Sequence, residues 1–445
     1  MDAVEERIIQ IISDNKERIF TFAREIFANP QPGFQEDKTA ALAALKFKEL
    51  QLPVREHLAK TGVRADSFRN KGPTVALIGE MDAIMCPSHP FADSTTKVAH
   101  ACGHHAQMAA VYGAAIALMD AQIREQLDGN LSFFAVPAEE YIDAAKREVL
   151  RDEDGIVFAG SGKSELVRLG EFDSISIGLT THVHMLPVQE DLLLGNVACN
   201  GFTPKNVTVH GRTAHAAIAP WEGVNALSIA TSALQMIGLM REGFNDEEKI
   251  RVHSVIRKGG DALNSIPEEV ILEEKVRAKS LEAIVETGKK VDAAFHGAAY
   301  AFGGEAEIEN LQGYLPVLYR AADPALIAAG NCLREYSGTT SQYVQESMHN
   351  AASTDVGDLT HLMPILNFTH GGFSGALHGA DFAITDEEKA YLVPAQMMAL
   401  TAYHLLKEQA VQAKTIVEDF VPKLSKEEYI AHIIKNTGQT NAPRV

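Results

Sequence analysis

The chain predicts an α/β fold, a mixed-sheet domain with a smaller α+β domain inserted into it. Three observations carry that prediction. Short apolar runs alternate with helical patterns over the first 200 residues, which is the signature of strands covered by helices. Near residue 200 the style changes to half-exposed strands and two amphipathic helices. After about residue 316 the first style returns. The expected division is therefore 1–200 plus 317–445 for the larger, discontinuous domain and 201–316 for the insertion. A chain of 445 residues with 46% apolar content is long enough for both cores.

The elements follow in order. Val4, Ile8, Ile11, Ile12, Ile19, Phe22 and Ile26 recur at helical spacing, so a helix is expected over 4–28, stopped by Asn29-Pro30. Residues 38–50 form a second helix. Thr74 to Gly79, Leu131 to Val136 and Ile175 to Val183 read as buried strands, and residues 108–119 as an Ala-rich helix. In the insertion, Lys205 to His210 alternates as a half-exposed strand, taken here as an edge strand available for pairing. A helix over 225–240, strands over 250–257 and 270–278 and a helix over 281–298 complete it. The last expected helix covers 390–407.

The formal net charge of −19 repels phosphate backbones, which excludes nucleic acid as a partner class. No apolar run is long enough to cross a bilayer, and the acidic start Met1-Asp2-Ala3-Val4-Glu5-Glu6 is unlike a signal peptide. Four scattered cysteines do not make a disulfide framework. A small-molecule substrate and a cytoplasmic setting are expected.

Four short stretches carry chemistry. His100-Ala101-Cys102-Gly103-His104-His105-Ala106-Gln107 precedes the Ala-rich helix, and thiolate with imidazole suits borderline-soft divalent metals. Pro137-Ala138-Glu139-Glu140 ends a strand, where one carboxylate could bind metal while the other moves a proton. His182-Val183-His184 ends another strand, with both rings on one side by alternation. His378 follows late, in Leu377-His378-Gly379. By contrast, Gly160-Ser161-Gly162-Lys163-Ser164 lacks the upstream glycine of a nucleotide-binding loop, where Val157 stands instead, and reads as a turn between helices.

Taken together these stretches resemble, in wording and order, the aminoacylase-like metallopeptidase family of N-acyl amino acid amidohydrolases, auxin-conjugate hydrolases and aminobenzoyl-glutamate hydrolases. Met81-Asp82-Ala83, the segment Gly211 to Ala217, the segment Gly259 to Pro267 and the segment Ser353 to Asp358 extend the resemblance from about residue 30 to 400. The resemblance implies a zinc-peptidase-like catalytic domain with an inserted dimerisation or lid domain. It implies one or two ions of zinc, manganese or cobalt held by Cys102, His104, Glu140, His182 or His184, and His378, with the choice within the histidine pair open. It further implies Glu139 as general base and Asp82 orienting a ligand histidine. His215 would stabilise the oxyanion from a partner subunit, and Asn264 and Arg277 would bind a substrate carboxylate or support the dimer. The assembly implied is a homodimer or a larger even homo-oligomer.

The expected activity is hydrolysis of an amide C–N bond in a small N-acyl or aminoacyl compound. His105 and Gln107 depart from the family's Asp and His, and Tyr141 to Arg147 replaces its Gly-rich stretch. Those departures keep a second activity in view, hydrolytic deamination of an aromatic amine of the nitroanthranilate type with release of ammonia. A catalytically silent binding protein is the third class considered, and the retained Glu139 argues against it.

Overall fold

The computed structural model describes residues 1–69 and 71–440. It is a mixed α/β structure with two compact units. The larger comprises Met1–Ala198, Leu318–Asn350 and Asp358–Lys423, and the smaller Cys199–Val317, Ala351–Gly357 and Leu424–Val445.

In the larger unit eight strands form one sheet. Their spatial order is Val54–Leu58, Gly62–Ser67, Asn130–Val136, Thr74–Glu80, Ile177–Val183, Ile365–His370, Leu192–Leu194 and Ser341–Tyr343. The four strands from Asn130–Val136 to Ile365–His370 run parallel, and antiparallel pairs flank them. Parallel strands are covered on both faces, so they need no polar alternation. Every residue of Thr74–Glu80 and of Asn130–Val136 is buried. The helix His104–Leu118 is buried throughout and Val393–Leu406 from Pro394 onward, which explains why the first of them reads as Ala-rich rather than amphipathic. Small side chains let it lie close to the sheet, where Gly79 faces Met108 and Val111.

Three expectations are corrected. The helix expected over 4–28 is two helices, Ala3–Asp14 and Lys16–Phe27, because Asn15 leaves helical geometry and turns its side-chain amide back onto the Ile11 carbonyl. The helix expected from 108 begins at His104, after Gly103 at φ 87°. A side chain there would meet Val183 at 2.6 Å, so glycine is required by both backbone and space. The strand around Lys205 to His210 is not an edge.

In the smaller unit Gly201–His210 lies inside a five-stranded antiparallel sheet, between Glu269–Ala278 and Glu305–Asn310. Its half-exposed pattern arises because helices Ala226–Met240 and Leu281–Phe302 cover one face only. The edges are Arg251–Lys258 and the short Gly438–Thr440, whose pairing with Glu305–Asn310 joins the chain's last described segment to this sheet.

The four cysteines are free. Among the described residues no helix is long and apolar enough to cross a membrane.

Candidate metal centre

The site forms where parallel strands end. Thr74–Glu80, Asn130–Val136 and Ile177–Val183 are neighbours, and their C-terminal ends deliver Glu80 to Asp82, Glu139 with Glu140, and His182 to one place. Open α/β sheets gather their sites at such ends. Gly103 turns the chain so that Cys102 and His104 join them at the start of the central helix.

The donor atoms converge. Cys102 Sγ lies 3.5 Å from His182 Nε2 and 3.3 Å from His378 Nε2, which is itself 3.6 Å from Glu140 Oε1. His104 Nε2 lies 3.2 Å from Glu80 Oε2 and 3.9 Å from Glu139 Oε2. Three overlapping groups result: Cys102, His104 and His182; Cys102, Glu140 and His378; and Glu80, His104 and Glu139. Two buried donor atoms there, His104 Nε2 and Glu140 Oε1, have no hydrogen-bond partner. Orphaned polar atoms of this kind are costly unless something binds them, and thiolate, imidazole and carboxylate are the donors a divalent transition metal takes. The residues therefore fit a metal.

The ring orientations are set from behind. His104 donates its Nδ1–H to the Asp82 carbonyl at 2.8 Å and to Asp82 Oδ1 at 3.1 Å, leaving Nε2 for the site. Asp82 Oδ2 accepts the Glu140 backbone N–H at 2.8 Å, so one carboxylate positions a donor on each side. His182 donates Nδ1–H to the Val183 carbonyl at 3.0 Å, again freeing Nε2. His184 differs: Nδ1 meets Thr369 Oγ1 at 2.7 Å and Nε2 meets the Glu190 carbonyl at 3.2 Å. The strand ends at Val183, so the alternation that puts both rings on one side stops before His184.

Electrostatics follow burial. Burial pushes the Cys102 thiol well up, with the Glu140 charge adding to it. Burial opposes charging of His104, yet Cys102 and Glu80 outweigh it and raise its pKa well above the usual value. Burial also lowers His182, to about 4, which keeps its imidazole neutral.

Several residues that matter here were not singled out in the sequence. Glu80 accepts from Lys163 Nζ, which is wholly buried, and from Gln107 Nε2 at 2.7 Å. The helix Gly162–Arg168, capped by Ser161, aims Lys163 under the site, so the Gly-Ser-Gly-Lys-Ser stretch is a helix start with an electrostatic task. Glu36 accepts the Ala138 N–H at 2.8 Å and the Thr61 hydroxyl at 2.6 Å. It thereby fixes the turn at Ala138, whose φ is 51°, directly before Glu139. Burial, then the Asp82 charge, raises the Glu36 carboxyl to about 8. Gly162 donates to the Ala138 carbonyl at 3.0 Å. A Cβ at Gly162 would stand 1.8 Å from the Pro137 carbonyl oxygen. Gly162→Ala is expected to displace the Glu139 turn and to cost about 1–3 kcal/mol or more, read as a lowered midpoint in thermal unfolding together with lost activity.

Of the departures in 105–107, His105 lies away from the donor atoms and Gln107 supports one of them. His105 is buried with its ring 4.9 Å from Phe27, 5.4 Å from His100 and 5.8 Å from Tyr391, and Gln107 is held by Glu80. Of the replaced Gly-rich stretch, Arg147 is buried over the Tyr141 ring at 5.1 Å and donates to the Ile142 carbonyl.

His215, Asn264 and Arg277 belong to the smaller unit. His215 is exposed, its Nδ1 accepting the Ala217 and Ile218 amides at 3.2 Å. The exposed Asn264 accepts the Ala216 amide through its carbonyl, and the half-buried Arg277 lies 6.0 Å from the Phe202 ring centroid.

Comparison with known proteins gives the family. A Homo sapiens protein named Xaa-Arg dipeptidase is 25% identical over 97% of this chain and 95% of its own length. An N-acetylcysteine deacetylase of Bacillus subtilis is 25% identical over 88% of this chain and 97% of its own. A solved structure from Bacillus subtilis, described as a dinuclear metal-binding peptidase, superposes with a TM-score of 0.62 at 22% identity, covering 88% of this chain and 98% of the other. The description Peptidase family M20/M25/M40 matches residues 76–404, well over half the chain. The chain belongs to that family, and is a hydrolase of carbon–nitrogen bonds.

Proposed function

We propose that the protein hydrolyses the amide bond of a small N-acyl or aminoacyl compound, with Glu139 as the general base. The observation that carries this reading is the division of two adjacent carboxylates: Glu140 approaches His378 and Cys102, while the buried Glu139 approaches His104. One ion or two of zinc, manganese or cobalt, held by Cys102, His104, Glu140, His182 and His378, would polarise the carbonyl and acidify water. Glu139 takes the proton from the attacking water and returns it to the departing nitrogen. Asp82 keeps His104 in the tautomer that presents Nε2. The substrate lies in the pocket of about 460 Å³ beside Glu140, lined also by Gln35, Met85, Tyr141 and Lys146, a volume suited to a small molecule.

The rival deamination draws on residues 105–107 and on the replaced stretch 141–147: His105 packs away from the donors against Phe27, Gln107 touches them only by donating to Glu80, and Tyr141 and Lys146 line the pocket in either reading. The two activities separate in one assay: the proposed one releases an amino acid, and release of ammonia from an aryl amine without it would replace this reading.

The choice of His182 over His184 rests on their partners. His182→Ala is expected to lower metal content per chain and His184→Ala to leave it near the parent value; the reverse outcome would reassign the ligand.

We also propose a homodimer or larger even assembly in which His215 serves a partner's site as an oxyanion donor. The support is its exposed loop, which displays Ile218 and Trp221, the latter 77% exposed, beside Leu263 on the neighbouring segment. His215→Ala should lose roughly a hundredfold in rate with metal and fold intact. Mixing His215→Ala with Glu139→Gln protomers should restore part of the activity, since a mixed dimer regains one complete site. Mixed dimers that form and stay inactive would place His215 outside any shared site.

A further inference from the structure

A second group of metal-type donors lies in the larger unit, built by three helices. Glu5 comes from Ala3–Asp14, Cys332 from Pro324–Ser337 and His404 from Val393–Leu406. All three residues are buried, and their donor atoms all lie within 4.8 Å of one another. His404 Nε2 is 3.2 Å from Glu5 Oε1 and 3.9 Å from Cys332 Sγ. We propose that Glu5, Cys332 and His404 form a structural site for a zinc-type divalent ion that ties these three helices together.

The spacing is what such an ion requires. Bonds of about 2.3 Å to sulfur and about 2.0 Å to nitrogen or oxygen, at tetrahedral angles, set sulfur and nitrogen about 3.6 Å apart and nitrogen and oxygen about 3.3 Å apart. Each observed separation needs an adjustment of a few tenths of an ångström, within the reach of side-chain rotation. Three protein donors leave the fourth position to water.

The ordinary structural duties of these residues do not use up the donors. Glu5 completes the capping box of its helix through Oε2, which accepts the Asp2 N–H at 2.6 Å, and so leaves Oε1 for the cluster. Lys407 stands 3.7 Å from Glu5 Oε1, but it also reaches Asp2 Oδ2 at 3.6 Å and lies over the Tyr403 ring at 5.1 Å. It can keep those two contacts when a cation takes the carboxylate. Burial lowers the His404 pKa and keeps the ring a neutral ligand. Burial, then the Glu5 charge, raises the Cys332 thiol to about 12, so binding would release its proton. Cys332 is remote in sequence from Cys102, and the site shares no residue with the catalytic group.

The test counts ions. Metal-free protein is titrated with Zn²⁺ and the bound equivalents per chain are measured for the parent, Cys332→Ser and His404→Gln. The parent should hold one equivalent more than either variant, whatever number the catalytic centre takes, and Zn²⁺ should raise its unfolding midpoint further. The same titration with Co²⁺ in a Cys102→Ser background should still give thiolate-to-cobalt absorption, and adding Cys332→Ser should abolish it. His404→Gln serves if Cys332→Ser does not fold. Equal equivalents in all three proteins, or no thiolate band in the Cys102→Ser protein, would overturn the site.

Discussion

Glu139→Gln should bind metal as the parent does and turn over at least roughly a hundredfold more slowly, a barrier increase of about 2.7 kcal/mol or more. Glutamine keeps the volume and the oxygen of the side chain but cannot take a proton from water. The position is sensitive because it is buried and its backbone is fixed: Ala138 ahead of it is held by Glu36, and the loop around it is closed by Gly162. The carboxylate therefore has little freedom to be replaced by a neighbour. Glu140 is the nearest in sequence, and its Oε1 is turned to His378. Metal content, unfolding midpoint and single-turnover rate should be measured on one preparation. A variant with parental metal and parental rate would remove Glu139 from the chemistry.

Lys163→Met should be the most destabilising single substitution near the site, by about 3–5 kcal/mol. Lys163 and Glu80 are both buried. Burial alone would raise the Glu80 carboxyl, but the Lys163 ammonium, followed by His104 and His182, holds it down to about 2. Without the lysine a carboxylate remains in the interior with Gln107 and His104 as its main partners. Denaturant unfolding should show the loss, and the double variant Lys163→Met with Glu80→Gln should recover a good part of it, because the stranded charge is gone while Gln107 keeps a partner. A single variant as stable as the parent would mean that the pair contributes nothing to folding.

How much of this was legible in the sequence depends on whether the signal was local. Cys102 with His104, and Glu139 with Glu140, stand in compact strings at the ends of elements, so residue type and position suggest chemistry at once. Buried strands such as Thr74–Glu80 show as continuous apolar runs. Glu80 was invisible because a single acid at a strand end looks like a boundary, and its partner Lys163 is 83 positions away. The glycine-rich stretch around Lys163 carries no local sign that the lysine is buried against a carboxylate. Glu36 acts on a backbone amide 102 positions along, which no pattern reveals. Alternation equated His182 with His184 because it presumes a strand that continues, whereas this one stops between them. Half-exposure likewise cannot tell a central strand covered on one face from an edge, and Gly201–His210 is the central case.

The order of strands in the larger sheet bears on how the chain is made. Ile365–His370 lies between Ile177–Val183 and Leu192–Leu194, and Ser341–Tyr343 lies beyond them. A ribosome releases the chain from its beginning, so the other seven strands of that sheet emerge with a gap that stays open until residue 370 is outside. Meanwhile four of the smaller unit's five strands, with both covering helices, emerge as one continuous stretch from 201 to 310. That stretch can fold while the larger sheet still waits. His378 is the last of the catalytic donors to emerge, after every strand of that sheet.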